Sequence, residues 1–224
     1  PLVLSVISLI TLPGISSAQD QSNLLGQLNT ITTAVPFLII SPDARAGGMG
    51  DAGVASDPDA NSIHWNPSKL AFVDKKLGFS VSYTPWLRQL VPDINLAYVS
   101  FYTKLKGDQT IGASLRYFSL GNITFTDNVG TEIGQYNPAE YSIDMVYARK
   151  LSEKFSGGIS LRYIHSNLTG GFTVENNATK AGNSVAADVS MYYRTDLEIS
   201  KKDAQLSFGL NISNIGAKIS YTET

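Results

Sequence analysis

The chain is 224 residues long, 43% hydrophobic and 16% charged, with a net charge of −2, and this near-neutral balance points away from nucleic-acid binding. It has no cysteine, which excludes a disulfide framework and thiol-based metal or redox chemistry. Nineteen glycines, eleven tyrosines and nine phenylalanines lean toward strands joined by tight turns.

Residues 1–18 read as a secretory signal peptide without its basic start. An apolar run from Leu2 to Leu12 is followed by Pro13-Gly14 and the small residues Ser16-Ser17-Ala18, with cleavage expected after Ala18. Residues 19–41 form an N-terminal arm, polar at first and apolar from Pro36 to Ile40. The next stretch, 42–75, is crowded with Gly, Ala, Asp, Asn and Pro and carries almost no hydrophobic periodicity. It cannot build a core of its own, so it is expected to be packed by something larger, as a plug. In it Asp59-Ala60-Asn61-Ser62 suits an Asx-type turn, and Pro67 forces Asn66 into an extended conformation.

From Lys76 the hydrophobic period becomes two. Leu77, Phe79, Val81 and Tyr83 alternate with Gly78, Ser80 and Ser82, and the pattern returns at 111–117, 141–148, 155–163, 184–193 and 206–212. A further run, Ile94 to Leu105, is bulky on both faces, so its phase stays open. Runs of about ten residues suit tilted strands crossing a bilayer, whereas no apolar run is long enough for a transmembrane helix. The polar faces carry Arg116, Asp144, Arg162 and Asp188 at mid-strand, where charges in a barrel interior can pair across neighbouring strands. The alternative is a secreted sandwich with those charges on its solvent face.

Short charged links at 104–109 and 150–154 alternate with long Gly, Asn and Thr-rich links at 119–139 and 167–183, as periplasmic turns alternate with outer loops. By that parity the first strand rises from the periplasm, with the Gly-rich stretch at the periplasmic side or in the lumen. The expectation is an all-β transmembrane antiparallel barrel with about seven strands at 76–224. Bacterial single-chain barrels use an even number, so more strands are expected after Thr224.

Some motifs suggest other chemistry. Gly48 to Gly53 satisfies G-x-G-x-x-G but lacks the βαβ surroundings a dinucleotide site needs, and close packing against the wall is the preferred reading of its glycines. Asp57-Pro58-Asp59-Ala60-Asn61 opens like a calcium loop but has Ser62 and Ser68 where Gly and Glu are required. His165-Ser166 resembles a base and nucleophile of a lipid esterase, yet strand neighbours point to opposite faces. No catalytic residue, cofactor or metal is assigned.

Three stretches carry a resemblance: Ala44 to Ala55 (ARAGGMGDAGVA), Asp59 to Pro67 (DANSIHWNP), and Tyr147 to Phe155 (YARKLSEKF) with Leu161-Arg162-Tyr163. With these the chain resembles the PorV family of outer-membrane barrels of the type IX secretion system, distant relatives of FadL-like transporters of hydrophobic compounds. The resemblance implies a fourteen-stranded barrel in the bacterial outer membrane, in contact with its lipid. It also implies an N-terminal plug, whose motif residues here are Gly47, Gly48, Gly50, Asp51, Gly53, Asn61, Trp65, Asn66 and Pro67. It further implies binding of the C-terminal signal domains of secreted cargo and their transfer from the translocon to a sortase-like surface-attachment component. The outer loops 119–139 and 167–183 are the expected contact sites. A FadL-like transporter with an apolar site in its lumen is the other reading.

Overall fold

The computed structural model describes residues 35–86, 88–89, 93–126, 129–171 and 179–221. The expected signal peptide and residues 19–34 of the expected arm lie outside the described residues.

Period-two alternation becomes one seven-stranded antiparallel sheet, curled as half a barrel. Its strands are β1 (Leu77–Pro85), β2 (Asn95–Lys104), β3 (Gln109–Ser119), β6 (Ala139–Lys150), β7 (Phe155–Asn167), β8 (Gly182–Ile199) and β9 (Lys202–Gly216), paired in that order. The remaining two, β4 (Ile123–Thr126) and β5 (Glu132–Tyr136), form a separate hairpin between β3 and β6. The long connection 119–139 thus holds a hairpin that its composition did not announce. Ile123 and Phe125 alternate with Thr124 and Thr126, which is short but sufficient for a strand when a second one lies opposite. Among the described residues no helix is long and apolar enough to cross a membrane.

The two faces of the large sheet differ completely. One presents Leu77, Leu115, Leu161 and Leu206 with 54%, 45%, 67% and 40% of their surfaces exposed, and no second sheet covers them among the described residues. The other is buried beneath residues 36–73. The open phase of β2 resolves with Leu96, Tyr98, Ser100 and Tyr102 on this buried face and Ala97, Val99 and Phe101 outward.

The covering segment consists of a 3₁₀ turn at Pro36–Ile39, short helices at Ala44–Gly48 and Ser62–Trp65, and a 3₁₀ stretch at Pro67–Phe72. Phe37 and Leu38, assigned to the arm by sequence, are buried within it. They pack with Leu96, Phe118 and Ile164 near the long-loop end of the sheet. Ile63, Leu70 and Phe72 pack with Tyr102, Val146 and Tyr192 near the short-turn end. The segment therefore runs the height of the sheet, with the charged side chains held between two apolar clusters.

Glycine makes that seat, but on the wall. A Cβ on Gly158 would lie 2.5 Å from the Ser68 nitrogen, and one on Gly209 would lie 2.2 Å from the Val54 carbonyl oxygen. Gly47 and Gly48 are exposed, and a Cβ on Gly48 would meet nothing within 4 Å, so close packing does not explain them. Gly50 and Asp51 instead make a left-handed turn, with φ of 70° and 62°. Gly158→Val is expected to destabilise the fold by about 1–3 kcal/mol or more through overpacking. Its outward neighbour Gly157→Val, whose Cβ meets only Leu151 at 3.4 Å, is expected to stay within about 0.5 kcal/mol of the parent. Denaturant unfolding in detergent compares the two.

Candidate functional site

A segment with so little regular structure buries backbone groups that have no ladder partner, and side chains must satisfy them. Asn66, fully buried, does this in both directions. Its Nδ2 donates to the carbonyls of Val54 at 2.9 Å and Met191 at 3.0 Å, while its Oδ1 accepts from the Ser68 nitrogen at 3.1 Å. Its extended backbone, with φ −167° and ψ 95°, is the conformation Pro67 demands. The wall meets the next residue from two strands: Ser190 Oγ accepts from the Ser68 nitrogen at 3.0 Å, and Ser156 Oγ donates to its carbonyl at 2.7 Å. Asn61 Oδ1 faces Ser100 Oγ at 3.5 Å.

Trp65 Nε1 donates to Asp43 Oδ2 at 2.7 Å, and the other oxygen of Asp43 caps the helix at Ala44–Gly48 by accepting from the Ala46 nitrogen at 2.8 Å. Gly53 lies under the Trp65 ring, where a Cβ would be 2.2 Å from it. Lys69, 1% exposed, donates from Nζ to Gly53 O at 2.8 Å and Ser56 Oγ at 3.0 Å. Burial lowers its ammonium from 10.5 to about 8. Of the nine residues expected to form a plug motif, Gly53, Asn61, Trp65, Asn66 and Pro67 are thus in the seat, and Gly47, Gly48, Gly50 and Asp51 are on its exposed side.

Arg116 holds the beginning of the segment. From the buried face of β3 its Nη1 donates to the carbonyls of Phe37, Leu38 and Ile40 at 3.1, 2.7 and 3.3 Å, and its Nη2 to His64 Nδ1 at 2.7 Å. A guanidinium can only donate, so His64 accepts on Nδ1 and carries its proton on Nε2. Burial, and then Arg116, hold the imidazole well below its ordinary range.

Beside it, Asp144, Arg162 and Asp188 sit on three consecutive strands. Arg162 pairs with Asp144 at 2.5 Å and Asp188 at 3.0 Å. Ser114 donates to Asp144 Oδ2 at 2.8 Å. Asp188 Oδ1 accepts from the Asn214 nitrogen at 2.8 Å, and Arg162 also donates to the Asn214 side chain. Asn214 has φ 60° and lies at the register shift between β8 and β9, so the network also fixes a bulge. Sequence reading missed Ser114 and Asn214, because neither a strand serine nor an asparagine signals a partner in advance.

His165 and Ser166 do not face one another as a base and nucleophile would. Ser166 donates to Glu140 Oε1 at 2.6 Å on the buried face, whereas His165 turns outward to Asn183 at 2.8 Å. Among the described residues no group of three or more His, Cys, Asp or Glu is placed to hold a metal.

At the long-loop end the connections are tied to one another. Asp93 accepts from the Asn122 nitrogen at 2.7 Å below the β4–β5 hairpin, and the Tyr136 ring of β5 covers Gly170 of the next connection. An apolar cavity of about 860 Å³ opens here, lined in part by Phe37, Ile39, Tyr83, Trp86 and Phe118.

Two predictions follow from the buried charges. Arg162→Met leaves two carboxylates without their cation and is expected to destabilise the fold by about 3–5 kcal/mol, whereas adding Asp144→Asn and Asp188→Asn to it should recover part of the loss in unfolding measurements. For Lys69 the folded pKa of about 8 lies below the free value of 10.5, so the unfolded chain binds more protons between those limits. Stability should rise with pH from about 8 to 10.5, relative to Lys69→Met, and the penalty should be fully present below 8.

No curated protein matches the chain. The model of the family described as type IX secretion system protein PorV matches residues 23–224. That match takes in the seated segment and all the strands, and the chain belongs to the PorV family.

Proposed function

We propose that the curled sheet is part of a closed outer-membrane barrel of about fourteen strands, with its buried face lining the lumen and residues 42–75 as the plug. In this reading Arg116, Asp144, Arg162 and Asp188 are lumen-facing charges. The protein binds the C-terminal signal domains of secreted cargo at its long-loop end and carries them from the type IX translocon to the sortase-like attachment component. Family membership supports the secretion role.

The observation that carries the membrane reading is the outward face itself. The outward positions from Leu77 to Tyr83 of β1, Ala97 to Thr103 of β2, Ile111 to Tyr117 of β3, Tyr141 to Tyr147 of β6, Phe155 to Tyr163 of β7, Val185 to Tyr193 of β8 and Phe208 to Ile212 of β9 bear no charge, and Arg149 lies just past Tyr147. Tyr83, Tyr117 and Tyr141 fall on one cross-strand row near the long loops, followed on it by His165 and Asn183. Near the short turns lie Tyr147, Phe155, Tyr193 and Phe208. Tyr163 to Phe155 spans about 27 Å along β7, which at a tilt of about 40° is roughly 20 Å of height. Aromatic rows flanking an uncharged apolar band suit a bilayer, and such a face is far larger than water tolerates.

The apolar cavity at the long-loop end favours the second reading, a FadL-like transporter. Gene deletion separates the two. Cargo retained in the periplasm with its C-terminal signal domain intact supports the secretion role, and normal secretion with lost uptake of a hydrophobic compound supports transport. Replacing 123–136 by a short Gly-rich turn should leave the barrel folded, by heat-unfolding in detergent, while reducing cargo release to the surface. Undiminished release would remove the hairpin from the contact site.

A further inference from the structure

The hairpin β8–β9 is longer than the wall needs. The last pair between β7 and β8 is Phe155 with Tyr193, and Arg194–Ile199 pair only with β9. Arg194 still donates its backbone N–H to the Lys154 carbonyl at 2.8 Å. Beyond it, the β7-side edge of Thr195–Ile199 carries no strand among the described residues. Strand tilt alone shifts successive turns by about one residue per strand, or two to three over this distance, so most of the six-residue overhang is not stagger. The overhang lies past Tyr193 and Phe208, on the side of the short turns. Because the other neighbour of β8 is β7, which starts at Phe155, a strand added at β9 would not cover this edge.

Edges of this kind are normally blunted by lysine, proline or a bulge. Thr195-Asp196-Leu197-Glu198-Ile199 has no lysine, proline or bulge, and its only guarding charges are the carboxylates of Asp196 and Glu198. Asp196 and Glu198 are exposed on one face, while Leu197 and Ile199 are 40% and 59% exposed on the other. Asp203 of β9 adds a third carboxylate opposite Glu198. A second copy of this edge would set like charges side by side, so the pattern selects against self-pairing.

We infer that the edge Thr195–Ile199 is a docking strand for a protein on the short-turn side, which adds an extended segment alternating basic and aliphatic residues. Side chains of an added strand alternate in phase with their neighbours, so its lysines or arginines meet Asp196 and Glu198 while its aliphatic residues cover Leu197 and Ile199. This goes beyond cargo binding at the long loops and does not depend on it.

The test uses the purified protein in detergent and a fluorescent peptide of alternating Lys and Val, read by anisotropy. Three comparisons are made: the same peptide with backbone N-methylation at alternate residues, a Glu/Val peptide, and the Asp196→Lys, Glu198→Lys double variant. Saturable binding of the Lys/Val peptide, weakened at least about tenfold in all three comparisons, supports the docking strand. Absence of saturable binding overturns it. Equal binding of the N-methylated peptide also overturns it, since charge attraction alone would then suffice, as does unchanged binding to the double variant. If that variant does not fold, the N-methylated comparison on the unaltered protein decides alone.

Discussion

Irregular backbone cannot be buried unless something answers its N–H and C=O groups, and this constraint shapes the whole inner face. Residues 36–73 make few regular bonds of their own. Arg116 therefore answers three consecutive-turn carbonyls, Lys104 donates to Val73 O at 2.8 Å, and Ser156 and Ser190 answer both sides of Ser68. A wall of aliphatic side chains would leave each of those groups desolvated and unpaired, at about 1–3 kcal/mol apiece. The polar interior is thus a requirement of the segment, and the apolar exterior is what alternation then leaves on the other side.

The charges between the two apolar clusters obey the same accounting. Two guanidiniums and two carboxylates are buried together, so the interior is locally neutral, and every carboxylate oxygen named above has a donor. Such a network adds little net stability over an apolar filling, but breaking it from one side is costly. Its value lies in geometry. Arg162 reaches two strands and the Asn214 bulge at once, and Arg116 ties the turn at Pro36–Ile39 to β3 through three carbonyls.

Much of this was legible from residues alone. Leu77 to Tyr83 and the five later runs of the same alternation announced strands because burial on one face imposes a period of two, while Ile94 to Leu105 kept its phase open, and the mid-strand charges marked the inner face. Three features resisted. The glycines of Gly47-Gly48 drew attention away from Gly158 and Gly209, since a close approach is a property of two surfaces and sequence displays only one. The β4–β5 hairpin was hidden because strands of four and five residues carry too few alternations to rise above loop composition. Asn214 gave no sign of itself, because its left-handed backbone acquires meaning only opposite Asp188.

The grip of Arg116 on residues 37–40 also imposes an order of events. Those contacts join groups 76 to 79 positions apart, and Asn66 waits for Met191, 125 positions further on. The N-terminal portion is synthesised first, yet nothing can hold it until β3 and then β8 have arrived. Residues 36–73 therefore reach their final contacts only once those strands are in place, so the inner face is completed late.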